Sequence, residues 1–271
     1  MKHAFPNSKR FGPQISRRLL RLFSGYSRYY LRRNFHTIRI ANDAWVPESD
    51  IDRPIVVYLN HASWWDPLVC LYLARQWFSD RTSVAPIDAD MLKQYAFFKH
   101  LGFYPVELGT LRGARNFLRT TSELLQSERH MLWLTPQARF VDPRERPIPF
   151  RRGLGALANR VERALYVPMA VDYTFWTEPR PEVLISFGQP VVPEESLVSS
   201  SGDWTTFFAH ALEETQDDLM EKACRRDPSD WFALEEGASG INAIYDGWRS
   251  LRSRLRGESF AREHQPDRLR A

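Results

Sequence analysis

The hydrophobic positions of this chain change period several times between its first residue and its last. Near the N-terminus Ile15, Leu19, Leu22, Phe23, Tyr26 and Tyr30 recur at helical spacing, while Arg17, Arg21, Arg28 and Arg32 take the opposite side. That pattern predicts a basic amphipathic helix. From about residue 35 short apolar runs alternate with amphipathic stretches. The runs "RPIVVYLN", "TSVAPI", "FYPVEL", "HMLWLTP", "LYVPMAVDY" and "EVLISFG" read as strands. Between them "PLVCLYLARQWF", opened by Asp66 and Pro67, "DMLKQYAFFKHLG", stopped by Gly102, "RGARNFLRTTSELLQS" and "GLGALANRVERA" read as helices. Strand and helix in alternation predict an α/β fold, one domain with a mostly parallel sheet flanked by helices. After the "GQPVVPEES" turn, the long amphipathic stretch "DWTTFFAHALEETQDDLMEKACRR" predicts a helix packed on that domain. The linker "EEGASG" leads to "INAIYDGWRSLRSRLRG", where Ile244, Trp248, Leu251 and Leu255 share a side among arginines, a second candidate interfacial element. The organisation expected is a basic segment at 1–34, the α/β domain at 35–200, a helical extension at 201–256 and a flexible tail at 257–271.

Composition narrows the class of molecule. With 271 residues and 43% hydrophobic content the chain can bury a substantial core. Its two cysteines, Cys70 and Cys224, form no CxxC, and no HExxH or clustered Cys/His spacing occurs, so neither a disulfide framework nor a metal site is expected. A reducing compartment fits this cysteine usage. No apolar run approaches the roughly 20 residues that span a bilayer, and the N-terminus lacks the apolar stretch of a signal peptide. The expectation is a protein that is cytosolic or peripheral to a membrane.

Charge changes the picture more than composition does. Of 37 Lys and Arg, ten lie within residues 1–40, where there is no Asp or Glu; the other 27 face all 33 acidic residues. A nucleic-acid binder would spread its positive charge over a reading surface, so a nucleic-acid partner is not expected. One reading of the N-terminal segment is an interfacial helix whose aromatic face enters the headgroup region, with each arginine contributing about 1 kcal/mol at an anionic membrane surface. A second is a helix packed on the domain with a solvated basic face. A third is a mitochondrial targeting peptide, also Arg-rich and acid-poor. Composition leaves all three open.

The candidate chemistry lies in "VVYLNHASWWDPLVC", residues 56–70, where a predicted strand ends at Asn60-His61 and a predicted helix opens at Asp66. Histidine accepts and returns a proton near neutral pH, and a carboxylate on its other ring nitrogen fixes the tautomer. Residues five apart on a regular helix point about 140° away from each other, so the pair meets only if His61 lies in the turn. The alternative is that Asp66 merely caps the helix and His61 bonds to backbone. Both readings place the pair beyond the carboxyl end of a strand, where α/β sheets carry their sites.

"NHASWWD" resembles the Asn-His-x4-Asp motif of the glycerolphosphate and lysophospholipid acyltransferase superfamily, and the likeness continues in order over roughly residues 35–195. "LGFYPVELGTLRGARNFLR" resembles the second block of that family, "LWLTPQARF" the third, "FRRGLGALA" with "YVPMAV" the fourth, and "ISFGQPV" the closing strand. The resemblance implies a glycerolphosphate acyltransferase-like fold and transfer of an acyl chain from acyl-CoA or acyl carrier protein to a lipid hydroxyl. It implies His61 as general base and Asp66 as its orienting carboxylate, with no cofactor beyond the acyl donor. The membrane lipid acceptor, an anionic membrane surface and acyl carrier protein are the partners this implies, at the cytoplasmic face of a membrane.

By the same resemblance Asn60, Arg112 or Arg115, Gln137, Arg139, Arg151, Arg152 and Gly153 are candidates to bind substrate, the last three by presenting charge and helix N-terminal amides to an anion. Trp64 and Trp65 are candidate walls of an acyl pocket, whereas Phe97, Phe98 and Trp133 read as core first. Two departures stand out. Glu107 occupies a place where the family commonly has arginine, and Gln137 a place where it usually has glutamate; glutamine hydrogen-bonds a hydroxyl without carrying negative charge. Both fall on acceptor-contacting blocks, which makes a glycolipid, a carotenoid glycoside or another lipid alcohol an acceptor to weigh beside a lysophospholipid.

Three other readings compete. Ser63 lies near His61, as in a lipid or thioester hydrolase, but no GxSxG elbow is present. "GLGALA" matches GxGxxA without a strand before it. A non-catalytic lipid-binding or membrane-scaffold protein on the same fold would explain Gln137 and Glu107, but not an intact His61 and Asp66.

Overall fold

A computed structural model of the chain describes residues 12–46, 51–198 and 200–236. Among them are eight strands: β1 (Thr37–Ala41), β2 (Ile55–Leu59), β3 (Thr82–Asp88), β4 (Phe103–Val106), β5 (His130–Leu134), β6 (Leu165–Thr174), β7 (Glu182–Phe187) and β8 (Trp231–Glu236). The α-helices are α1 (Arg17–Asn34), α2 (Asp66–Gln76), α3 (Ala89–Gln94), α4 (Leu111–Leu124), α5 (Gly153–Ala158) and α6 (Ser201–Arg225). All strands join one sheet in the order β4-β3-β5-β2-β6-β7-β1-β8. Pairing is parallel except at β6/β7 and β1/β8, which is the mostly parallel α/β fold expected from the alternation.

Burial on both faces explains why the central strands are continuous apolar runs. Ile55, Val57 and Leu59 of β2 face Val69 and Leu73 of α2 and Leu31 of α1. Val56 and Tyr58 face the opposite layer, made of Leu154 and Leu157 of α5 and Phe208 and Leu212 of α6. β2 lies between β5 and β6, parallel to both, with Tyr58 level with Leu134 and Leu59 level with Met169. Three strands therefore deliver their following loops to one edge of the sheet.

Several elements differ from the sequence expectation. The helix predicted over "DMLKQYAFFKHLG" is two pieces: α3 ends where Tyr95 leaves helical geometry, and a 3₁₀ turn, Ala96–Leu101, follows. Its aromatics pack on one another and on neighbours, with Phe97 against Phe23 and Phe98 against Phe103. Gly102 does stop it, at φ 107°, and a Cβ there would meet Ser83 O at 2.5 Å. α5 is half its expected length. β1 and β8 are not among the strands the pattern predicts; β8 falls within a stretch expected to be helical and pairs antiparallel with β1. The second interfacial element near Trp248 and the tail at 257–271 lie outside the described residues.

Candidate active site

The chain turns sharply after β2. Asn60 is 1% exposed, its Nδ2 donating to Val171 O and its Oδ1 accepting from Val171 N–H, both at 2.9 Å. Those two bonds clamp the end of β2 to β6. His61, next in line, is fixed at both backbone groups: its N–H donates to Gln137 Oε1 at 2.6 Å and its C=O accepts from Val141 N–H at 2.9 Å. The loop after β5 is thereby clipped to the histidine, and the clip passes through Ala138, a non-glycine residue at φ 53°. Phe140 lays its ring 4.4 Å from the imidazole.

The imidazole and the carboxylate meet. His61 Nδ1 lies 2.6 Å from Asp66 Oδ2, which also accepts the Ser63 N–H at 3.1 Å. Asp66 Oδ1 accepts the Tyr173 hydroxyl at 2.6 Å. Asp66 is the first residue of α2, followed by Pro67, and the helix is preceded by Trp65 without a side-chain cap. Its carboxylate thus serves the turn and the histidine rather than the helix N-terminus, so the capping alternative does not hold. Asp66 is 1% exposed while the His61 side chain is 20% exposed, and among the described residues no hydrogen bond takes Nε2. A buried acid orients a ring whose far nitrogen remains available to a reactant.

Burial shifts the neighbouring titratable groups. It pushes the Tyr173 phenol well above its ordinary range, reinforced by the Asp66 carboxylate. Burial likewise raises the Cys70 thiol one helical turn after Asp66 and the Asp172 carboxyl beside Tyr173. On the other side of the turn a cavity of about 490 Å³ is lined by Ala62, Ser63, Arg144, Asp172, Tyr173 and Gln216, among others.

The remaining sequence candidates separate into groups. Asn60 and Gln137, expected to touch substrate, are both buried: Asn60 commits both amide atoms to Val171, and Gln137 commits its Oε1 to the His61 N–H. Arg151 is tied to the same loop, its N–H donating to Pro136 O at 3.0 Å. Arg151 and Arg152 are exposed at the start of α5, and Gly153 packs against Phe117 of α4. Arg139 is exposed, 3.4 Å from Glu145, and Arg112 is exposed, 3.8 Å from Glu107. Arg112 and Arg115 share the first turns of α4, and among the described residues no hydrogen bond or ring contact joins them to His61.

Trp64 and Trp65 stand beside the pair, centroids 4.5 Å apart, at the inner end of a run of rings. Tyr30 touches both, Tyr26 stacks on Tyr30 at 5.6 Å, and Phe23 links Tyr26 to Phe97. Trp65 continues through Phe35 to Tyr173, whose hydroxyl is on Asp66. Trp133 is core, its Nε1 donating to Ser83 Oγ. Ser63, the nucleophile of the hydrolase reading, accepts the Trp65 N–H with its hydroxyl at 3.3 Å. Tyr173 and Val141 were invisible to motif reading, and Gln137 was visible in the third block but its bond to His61 was not; the signal for Tyr173 was its place at the end of "VPMAVDY", beside the strand that carries the motif.

Comparison with known proteins finds a matching family and a similar fold. A family described as acyltransferase matches residues 32–172. The crystal structure of the 1-acyl-sn-glycerophosphate (LPA) acyltransferase, PlsC, from Thermotoga maritima is similar in fold, with a TM-score of 0.52 at 13% identity over 75% of this chain and 79% of that one. No curated protein matches.

Proposed function

The chain belongs to the acyltransferase family, and from that premise we propose that it moves a fatty acyl group from acyl-CoA or acyl carrier protein to a hydroxyl of a lipid acceptor. The observation that carries the reading is the 2.6 Å contact between His61 Nδ1 and a buried Asp66, with Nε2 left to a reactant. In this reading the acceptor hydroxyl gives its proton to Nε2 as its oxygen attacks the thioester carbonyl. The tetrahedral intermediate then collapses, the ester forms, and the leaving thiolate takes the proton back from the imidazolium. Asp66 holds the ring in the Nδ1–H tautomer and stabilises the imidazolium. No protein nucleophile is needed, in keeping with Ser63 being turned toward Trp65.

The aromatic run from Phe97 through Phe23, Tyr26 and Tyr30 to Trp64 supports an apolar path for the acyl chain and a peripheral membrane position for α1, whose Leu22 is 73% exposed beside a Trp64 that is 54% exposed in the turn before α2. Among the described residues no helix is long and apolar enough to cross a membrane. Arg151 and Arg152, exposed on the loop that is bonded to the third block, are the favoured contacts for donor or acceptor phosphate; Arg112, Arg115 and Arg139 are further candidates.

Purified full chain supplied with palmitoyl-CoA or palmitoyl-acyl carrier protein and a panel of acceptors, lysophosphatidic acid, monoacylglycerol and a glycolipid, tests the reading. The expected result is thiol release that depends on an acceptor and is matched by a new ester, lowered about 10²–10⁴-fold in His61→Ala. Release without any acceptor would make the protein a thioester hydrolase. No turnover with any acceptor, or an unchanged rate in His61→Ala, would overturn the proposal.

A further inference from the structure

We propose that Tyr173 is a positioning residue for the His61–Asp66 pair: its hydroxyl holds the Asp66 carboxylate in the plane that aims the imidazole. The proposal rests on the reading of His61 as the base, and it adds a residue that the motif does not contain.

A carboxylate on a short side chain can rotate about its last bond, and a histidine bonded to one oxygen follows it. Here both oxygens are held. Oδ2 receives the Ser63 N–H and faces His61 Nδ1, and Oδ1 receives the Tyr173 hydroxyl at 2.6 Å, the same distance as the histidine contact. The Ser63 bond comes from the turn itself, three residues away, and moves with it. Tyr173 comes from 107 residues away on β6, so its hydroxyl refers Oδ1 directly to the sheet.

Its own position is fixed. Asn60 locks Val171, two residues before Tyr173, to the end of β2 by the paired bonds at 2.9 Å, and the Phe35 ring lies 5.7 Å from the tyrosine ring. The distance from the phenol oxygen to Asp66 is therefore set by the same strand pairing that sets the position of His61. Burial keeps the phenol protonated across the neutral range, so the hydroxyl remains a donor to the carboxylate and does not compete with His61 as a base. Because the hydroxyl reaches Asp66 and not the space beside Nε2, its effect passes through the pair.

Tyr173→Phe tests this, since it removes one oxygen and keeps the ring against Phe35. Full-length protein labelled with ¹⁵N-histidine is followed by NMR through the Nδ1–H proton of His61, assigned by its loss in His61→Ala. The resonance is expected to shift and broaden in Tyr173→Phe, with thermal unfolding showing the variant folded. In an Asp66→Asn background the further change Tyr173→Phe is expected to leave the spectrum as it is. With palmitoyl-CoA and whichever acceptor of the panel turns over, kcat is expected to fall about tenfold at an unchanged KM. A resonance unaltered in position and width by Tyr173→Phe overturns the proposal. If the resonance moves while wild type turns over none of the acceptors, the positioning role stands and the assigned reaction falls.

Discussion

Gln137 keeps its place in the motif and makes a backbone contact that the motif does not predict. Read from sequence, glutamine where a glutamate is usual suggested a different acceptor. In the structure its Oε1 accepts the His61 N–H at 2.6 Å and the side chain is 4% exposed. An amide oxygen and a carboxylate oxygen both accept from a backbone N–H, so the replacement keeps that bond and removes a charge whose burial would cost free energy. Gln137→Ala leaves a buried N–H without a partner, and the expected loss is about 1–3 kcal/mol in denaturant unfolding together with a lower kcat. Gln137→Glu is expected to leave the ranking of acceptors in the panel assay as it is; a changed ranking would return Gln137 to the acceptor. The turn was legible, because a strand signal ending at Asn60-His61 and a helix signal starting at Asp66-Pro67 admit nothing else between them, whereas the meeting of the two side chains was implied by the motif resemblance, with helix capping the alternative on spacing alone. What surrounds the pair was not legible. Tyr173, Gln137 and Val141 reach the pair through strand pairing and loop bonds between distant residues, and no local spacing encodes those.

At the scale of elements, periodicity worked where each face had one environment. β2, β5, β6 and β7 are buried throughout or nearly so, and each read directly as an apolar run. β1 did not, because Arg39 sits in its middle, buried, with Nε donating to Glu182 Oε2 at 3.1 Å and its guanidinium 5.2 Å from the Trp176 ring centre. β8, "WFALEE", lies at a sheet edge, breaks its alternation at a register shift opposite Ile38 and Arg39, and ends in two acids, which resembles a linker until its partner is known. α1 was read correctly as amphipathic, but its apolar face is divided. Leu31 is core, Phe23 and Tyr30 pack against the domain, and Leu22, Tyr26 and Tyr29 remain exposed. Removing the helix would open the core, so its surface role needs substitutions that leave Leu31 alone. Leu22→Ser with Tyr26→Ser is expected to reduce co-sedimentation with vesicles of phosphatidylglycerol and phosphatidylcholine while preserving the unfolding temperature. Unchanged sedimentation would confine α1 to packing on the domain.

At the scale of the whole molecule, three elements distant in sequence are joined at one carboxylate. Glu235, on the last described strand, accepts from Arg28 at 2.7 and 3.3 Å and from the Tyr72 hydroxyl at 2.8 Å, and it lies 3.2 Å from an Arg32 nitrogen. α1, α2 and β8 therefore meet at a residue that is 8% exposed, and the helix bearing the outer aromatic rings is tied to the edge of the sheet. Two of the arginines on the basic face of α1, Arg28 and Arg32, are thus paired with the protein while staying half exposed, and Arg17, Arg18 and Arg21 are exposed on its N-terminal half. Burial by itself would raise the Glu235 carboxyl, but the hydrogen bonds from Arg28 and Tyr72 and the charges of Arg28 and Arg32 outweigh it, and the net shift is downward from 4.5. A carboxylate depressed in the folded state stabilises the fold above its unfolded value and loses that contribution as pH falls through the folded one. Glu235→Gln removes the charge at any pH. At pH 7 the variant is expected to be less stable than wild type by roughly 1.5–3 kcal/mol, the range for hydrogen bonds to a charged group. Below pH 4.5 the two unfolding curves are expected to converge, because wild type then loses by protonation what the variant lacks from the start. A stability gap of constant size from pH 7 to pH 3 would mean that the carboxylate's charge does not hold α1 to the sheet.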